Sequence, residues 1–465
     1  MDGGGPVRER VRERLVPPAP TPPADDLSIW DLWRRLPQST EACWPARAYG
    51  DMVVHRRFFG VDHYVLNDPG AARQLLLGRS GRYTRSVGMR RIMRPGIGRG
   101  LLLAEGENWR RQRARLAGAF TPDHVDGLLP HIRDAALGLV GRVSADRPCN
   151  LHGLLEETAM DSFGRAMFSL PLGDRADRVL QLVKSYFGAQ GRPRLTDLLA
   201  RRESDFGWAQ LDRAVWSRRW FAEIEDIIAA RRAAPLQPGS RPDVLELLFR
   251  ARDEDGRPLS DQEVRDEAAS TMAAGFETTS RLLMWAVYLL SRDLREQAAV
   301  GKELDRTTPE RVGRLADLEA WPRLRNVLLE TLRLYPPVPL LQRTAHEPDE
   351  IGGIIVKPGD VLVVAPWLMH RHQRWWDRPE AFMPERFAEM TPALRKEGPY
   401  MPFGVGRRVC VGAAFAMAEA SLILAELLSR YEVVLDDPRP VMPVGMVLTP
   451  SIEPRFRLVA RGGGA

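Results

Sequence analysis

A ten-residue string near the end of the chain holds the strongest chemical potential: Phe403-Gly404-Val405-Gly406-Arg407-Arg408-Val409-Cys410-Val411-Gly412. Cysteine acts through its thiolate, which a helix N-terminus stabilises, and the apolar periodicity beginning at Ala413 predicts a helix directly after it. Glycines at 404, 406 and 412 permit tight turns and close approach of a flat ligand. One deprotonated sulfur, shielded and with backbone N–H groups aimed at it, suits axial ligation of haem iron. Arg408 beside it suits a haem propionate. An isolated cysteine is more often a small buried hydrophobe, but the complete string favours the ligand.

Three further constellations carry less weight alone. Glu330 and Arg333 stand three apart, which puts carboxylate and guanidinium on one helix face; in an unknown helix this is an ordinary surface pair. Gly275 interrupts the helical run Ala274-Gly275-Phe276-Glu277-Thr278-Thr279, at a cost of about 1 kcal/mol relative to alanine, so something there needs room. A helical Thr278 can simply bond a carbonyl one turn back. Trp109 and Arg113 stand one turn apart in Trp109-Arg110-Arg111-Gln112-Arg113.

Together these strings resemble the cytochrome P-450 haem-thiolate family, of the soluble bacterial type, from about Tyr49 to the C-terminus. The first fits FxxGxRxCxG, the second is the family's ExxR, Pro384-Glu385-Arg386-Phe387 resembles its PERF segment, and all occur in the expected order. The resemblance implies haem b (iron protoporphyrin IX) with Cys410 as metal ligand and Phe403 and Gly412 in the cofactor-binding loop. It further implies that Trp109, Arg113, Arg343 and Arg408 reach the propionates. Glu330, Arg333 and Arg386 become a buried ion-pair triad under the haem. Glu277 and Thr278 become the acid–alcohol pair that delivers protons for O–O cleavage, with Ala274 and Gly275 leaving room for dioxygen. Glutamate stands where many relatives have aspartate, and Trp109 where many soluble bacterial ones have histidine. Substrate contacts fall on Met89, Met93 and Ile97, in what the family makes a loop, on residues 185–210, on Ala274, and on Val338 to Leu341. Arg85, Arg90, Arg91 and Arg94 around that loop read as a solvated face. His370 and His372 without a third ligand do not make a second metal site.

The elements that must position these groups read mainly as helix. Apolar spacing predicts a long, largely buried helix over 261–291, another over 321–334 stopped by Pro336-Pro337, and a last one over 413–428. Strands are expected at Ile354–Val356 and Val361–Val364 around the turn 357–360. Residues 1–26, ending PPAPTPPADD, read as an extended, loosely packed tail, and 27–465 as one haem domain. Length alone, at 465 residues, would have favoured about three domains, but no linker or repeat divides the chain.

Composition narrows the function class. A net charge of +6 with scattered basic residues gives weak grounds for a nucleic-acid partner. Cys43, Cys149 and Cys410 lie far apart, which excludes a disulfide framework and an iron–sulfur cluster of its own and fits a reducing cytoplasm. The apolar run Leu282–Leu290 falls short of the ~20 residues that cross a bilayer, so no membrane anchor is expected. The expected fold is therefore mainly α with a minor β region. The expected activity is oxygen-dependent monooxygenation of an apolar small molecule such as a terpenoid, fatty acid or polyketide. Electrons would come from a ferredoxin or flavodoxin with its reductase, docking near Arg407. A peroxide-driven peroxygenase, a non-catalytic haem or gas-binding protein and, more weakly, a cysteine hydrolase are the competing readings.

Overall fold

A computed structural model describes residues 14–462 apart from 59, 79–80, 171–172, 195, 198–199, 201, 238–239 and 254. The principal helices are α1 (Val87–Ile97), α2 (Gly106–Ala117), α3 (Pro122–Arg142), α4 (Leu151–Phe168), α5 (Asp174–Ser185), α6 (Trp208–Ala233), α7 (Asp261–Arg292), α8 (Pro322–Leu334) and α9 (Ala413–Leu428). Helix α7 starts in a capping box: Ser260 Oγ accepts from the Glu263 N–H, and the Glu263 carboxylate accepts from the Ser260 N–H at 2.9 Å. Every residue from Leu282 to Leu290 is buried, because α4, α8 and α9 all pack on α7. Helix α8 takes Pro322 in its first turn, where the missing N–H has no intrahelical role.

The β region lies to one side. Strands β1 (Val53–Phe58), β2 (Val61–Leu66), β3 (Tyr83–Thr84), β4 (Leu341–Ala345) and β5 (Val361–Val364) form one sheet in the order β1-β2-β5-β4-β3, with only β2 and β5 parallel. Strand β4 opposes β5 from Leu341↔Val364 to Thr344↔Val361, so Leu341 and Arg343 share a face. A three-stranded sheet joins Pro148–Cys149, Phe456–Ala460 and Tyr431–Leu435. Ile354–Val356 is a strand at the expected bounds, pairing with Asp349–Ile351.

One main core runs from Ala48 to Leu458, and a smaller buried cluster, from Leu66 to Met401, gathers at the β region. The expectation of a loose proline-rich tail needs correction for residues 14–26. The segment is extended, as proline dictates, but its carbonyls are used: Tyr335 Oη donates to Pro18 O at 2.7 Å and the Phe382 N–H to Leu15 O at 2.8 Å. Leu15 and Ala19 pack on the main core. Residues 1–13 lie outside the described residues.

Candidate active site

The cysteine loop is a chain of tight turns closed on itself. Gly404 and Gly406 have φ of 70° and 82°, and a Cβ at Gly406 would come within 2.7 Å of the Leu76 carbonyl oxygen. The Cys410 N–H donates to Phe403 O at 3.0 Å, and Phe403 packs on the main core. Gly412 is the N-cap of α9. Cys410 is accessible, yet surrounded closely enough that burial pushes its thiol up; the Gly412 N–H and Arg113 pull the other way.

Arginines converge beside this loop. Arg408 donates to Ala104 O at 2.8 Å, pairs with Glu105 and lies 4.9 Å over the ring of Trp109. Arg85 pairs with Glu105 at 3.2 Å. Arg343 donates to Gln342 O, and no carboxylate of the described residues lies within ion-pair reach of it. Burial pushes Arg85 down to about 9 and Arg343 down to about 10, and each is lowered further by repulsion from Arg408. Arg113 stands closer to the cysteine than its expected role requires: its Nη1 donates to Val409 O at 2.9 Å.

The reading of solvated arginines around 85–94 is overturned for Arg85, Arg90 and Arg91, whereas the Arg94 side chain remains 43% exposed. Arg85 belongs to the cluster just described. Arg91 is 3% exposed and bonds Asp197 at 3.3 Å and the carbonyls of Arg202, Glu203 and Asp205. Arg90 and Arg94 pair with Glu203. The expected substrate loop is also helical, since α1 holds Met89, Met93 and Ile97, with Ser86 as its cap and Pro95 inside. Ile97 is buried and the two methionines are half-buried.

Helix α7 crosses the molecule with one accessible window. Thr271, Ala273, Ala274, Gly275 and Thr278 are half-buried within an otherwise buried stretch. At Gly275 a Cβ would come within 2.0 Å of the Phe163 ring from α4, so the missing side chain makes room for that ring. Thr278 Oγ1 donates to Ala274 O at 2.8 Å. Glu277 is held by Arg281 at 2.6 Å; Arg281 also pairs with Glu156 at 2.7 Å, and Lys184, half in solvent, reaches Glu156 at 2.6 Å. Burial raises the Glu277 carboxyl against the pull of Arg281. Burial alone would raise Glu156 as well, yet Arg281, His152 and Lys184 together hold it low.

Glu419 escaped the sequence reading altogether. It is fully buried on α9, neither carboxylate oxygen makes a well-formed hydrogen bond, and its nearest polar neighbours are Ser162 of α4 and Thr279 of α7. Burial pushes its carboxyl up to about 8. Only its position nine residues after Cys410, on the inward face of a helix, could have drawn attention to it.

Glu330, Arg333 and Arg386 come together. Arg333 Nε and Nη2 donate to the two Glu330 oxygens at 2.7 and 2.8 Å, and Arg386 Nε donates to Oε1 at 3.1 Å. The Arg333 guanidinium further donates to His370 O, Pro379 O and Ala381 O, which ties α8 to the segment before the cysteine loop. His370 and His372 are buried; His370 Nε2 accepts from the Met401 N–H and burial pushes the ring down to about 3. Leu341 on β4 lies against Gly404, whereas Val338 is 39% exposed.

This donor set fits haem. An accessible sulfur is available as axial ligand, and the adjoining edge carries three guanidiniums against one carboxylate, an excess of two positive charges that two propionates would neutralise. The comparisons agree. A family model described as Cytochrome P450 matches residues 38–457. Cyclooctatin synthase of Streptomyces melanosporofaciens is 31% identical over 349 residues, covering 73% of each chain. Cytochrome P450 4V2 of Mus musculus is 28% identical over 370 residues, 73% of this chain and 69% of the relative. Pentalenene oxygenase of Streptomyces avermitilis is 28% identical over 372 residues, 79% and 81% of the two chains. No described helix is long and apolar enough to cross a membrane. With a family match over nearly the whole fold and a thiol seated where the family's signature puts it, the chain belongs to the cytochrome P450 family, as a haem b monooxygenase that uses O2, an apolar substrate and electrons from a redox partner.

Proposed function

We propose that this monooxygenase oxidises a terpenoid, that Cys410 would hold the haem iron, and that Ala274 and Thr278 would line the space in which O2 and substrate are handled. The observation that carries the assignment of residues is the meeting of one accessible thiol with an arginine cluster whose charge the protein leaves unbalanced. Haem b, once bound, supplies the reductive activation of O2.

The chain's own residues orient and protonate. Arg85, Arg343 and Arg408 would hold the propionates, Trp109 supports Arg408 by its ring face, and Arg113 steadies the cysteine loop through Val409 O. Thr278 spends its proton on Ala274 O, so its oxygen lone pairs remain free to hold water. Glu277 is anchored by Arg281, which a further ion pair ties to Glu156 and so to the half-exposed Lys184; its raised carboxyl suits a group that must pick up as well as release protons. The half-buried Met89, Met93 and Leu341 would supply apolar contacts, with Val338 at the rim, whereas Ile97 is buried. The names of the pentalenene oxygenase and cyclooctatin synthase relatives support the terpenoid class. The electron donor is an acidic ferredoxin or flavodoxin in the cytoplasm, docking over the exposed Arg407.

The test is spectroscopic. The ferrous protein with carbon monoxide should give the strongly red-shifted Soret band of a thiolate trans to the ligand; a band without that shift removes Cys410 from the role. Titration of the ferric protein with terpenoid hydrocarbons should shift its spin state. A response to fatty acids or polyketides alone would overturn the substrate class.

A further inference from the structure

The cap of α2 is occupied by a residue that local structure does not explain. Glu105 is the N-cap, a position that favours Ser, Thr, Asp or Asn, and its side chain makes no capping hydrogen bond. The carboxylate turns away from the helix instead. Its Oε1 accepts from both the backbone N–H and Nη1 of Arg85 at 3.2 Å, and its Oε2 pairs with Arg408. Glu105 thus bridges an arginine just after β3 to one two residues before Cys410, and all three side chains are at least three-quarters withdrawn from solvent or nearly so: 26%, 15% and 12% exposed. Its own approach is fixed from α7, where Asp266, Glu267 and Ser270 accept the N–H groups of Arg99, Leu101 and Leu102 in the turn that leads to it.

We propose that Glu105 is a positioning residue for the haem edge, a built-in counter-anion that aims Arg85 and Arg408 and sets how much positive charge the haem experiences. The proposal rests on the reading that Arg85, Arg343 and Arg408 form the propionate cradle. With Glu105 in place, the cluster carries three positive charges and one negative, and two propionates complete neutrality. Without its charge one positive charge is left over beside the haem, in a partly desolvated site where Coulombic effects are weakly screened. Excess positive charge favours the reduced, less positive iron. The iron's reduction potential therefore reads the charge of Glu105, whereas a role confined to holding the backbone would leave that potential unmoved.

The experiment uses the purified haem-loaded enzyme and compares wild type with E105Q, E105D and R343Q, measuring the ferric/ferrous midpoint potential at low and high salt and the rate of haem transfer to apomyoglobin. E105Q is expected to shift the potential upward, less so at high salt, and E105D to return it to the wild-type value. R343Q is expected to shift it downward and to transfer haem several-fold faster. A wild-type potential in E105Q alongside a shifted R343Q overturns the counter-anion role and leaves the cradle standing. An unmoved potential and transfer rate in R343Q overturn the cradle itself. If E105Q takes up no haem, E105D decides: a loaded E105D with the wild-type potential supports the proposal, and an unloaded or upward-shifted one overturns it.

Discussion

Gly275 of α7 and Phe163 of α4 occupy one space between them: an added Cβ on the glycine would lie 2.0 Å from the ring. Phe163 is 2% exposed and sits edge-on to Phe168 at 5.6 Å, so it has little freedom to withdraw. Gly275→Ala gains roughly 1 kcal/mol of helix propensity. Overpacking a core that cannot yield costs about 1–3 kcal/mol, and the larger effect should win. The expected result is a lower Tm with the haem spectrum retained. A Tm equal to or above that of the parent would mean that the ring moves aside freely.

Glu330 and its two arginines make a sharper case. Glu330 and Arg333 are fully buried, and Glu330 also accepts the Met383 N–H at 2.8 Å. Removing the carboxylate strands Arg333 in the interior, and breaking a buried pair in this way costs about 3–5 kcal/mol. Glu330→Ala should yield little or no haem-loaded protein, as read from the Soret absorbance per mole of chain. Full loading would show that the triad does not hold up the cysteine loop.

What could be read from sequence differs by range. Helix α7 was legible to within one residue, because its apolar positions recur at helical spacing and no proline interrupts them. Strand β5 and helix α9 were legible at both ends for similar local reasons. Helix α1 was not: it contains Gly88, Pro95 and Gly96, and its stability comes from outside, where Ser217 and the Trp220 indole donate to the Pro95 and Gly96 carbonyls. The same holds for charge. Arg85 and Arg91 look alike in sequence, yet one faces Glu105, 20 residues away, and the other Asp197, 106 residues away. No local pattern distinguishes those fates. Cys410 and Glu330 were identifiable because each lies in a motif; Glu105 and Glu419 required the packing.

Glu419 gives a pH-dependent prediction. Its folded carboxyl sits at about 8, far above the ordinary 4.5. Between those values the folded protein holds a proton that the unfolded chain has released. The contribution is therefore fully present below pH 4.5 and is lost as pH rises through about 8. Glu419→Gln, which is neutral throughout, removes that dependence. Its stability relative to the parent should rise across this window by up to about 1.4 kcal/mol per pH unit. Urea titrations of both proteins at pH 5.5, 6.5 and 7.5 would measure it. Parallel pH profiles would mean that Glu419 is ionised and solvated in the folded state.

Asp197 joins the segment after α5 to two helices at once. Arg213 of α6 grips it with two hydrogen bonds of 2.8 Å and Arg91 of α1 adds a third at 3.3 Å; all three side chains are 0–1% exposed. Two buried guanidiniums share one carboxylate, and backbone carbonyls take other donors, those of Gln190 and Arg192 for Arg213 and of Arg202, Glu203 and Asp205 for Nη1 of Arg91. Asp197→Asn keeps the shape and removes the only carboxylate the two guanidiniums share among the described residues, leaving two charges buried without compensation. The damage should stay local, because Trp216 and Trp220 still bond Leu182 O and Gly96 O and keep α6 against α5 and α1. We expect amide exchange to accelerate at least tenfold, an opening easier by about 1.4 kcal/mol or more, across the described residues of 190–207, with exchange in α7 and α8 unchanged. Exchange faster throughout the protein would instead make Asp197 a determinant of the whole fold, and unchanged exchange would mean that the carbonyls alone hold the two arginines.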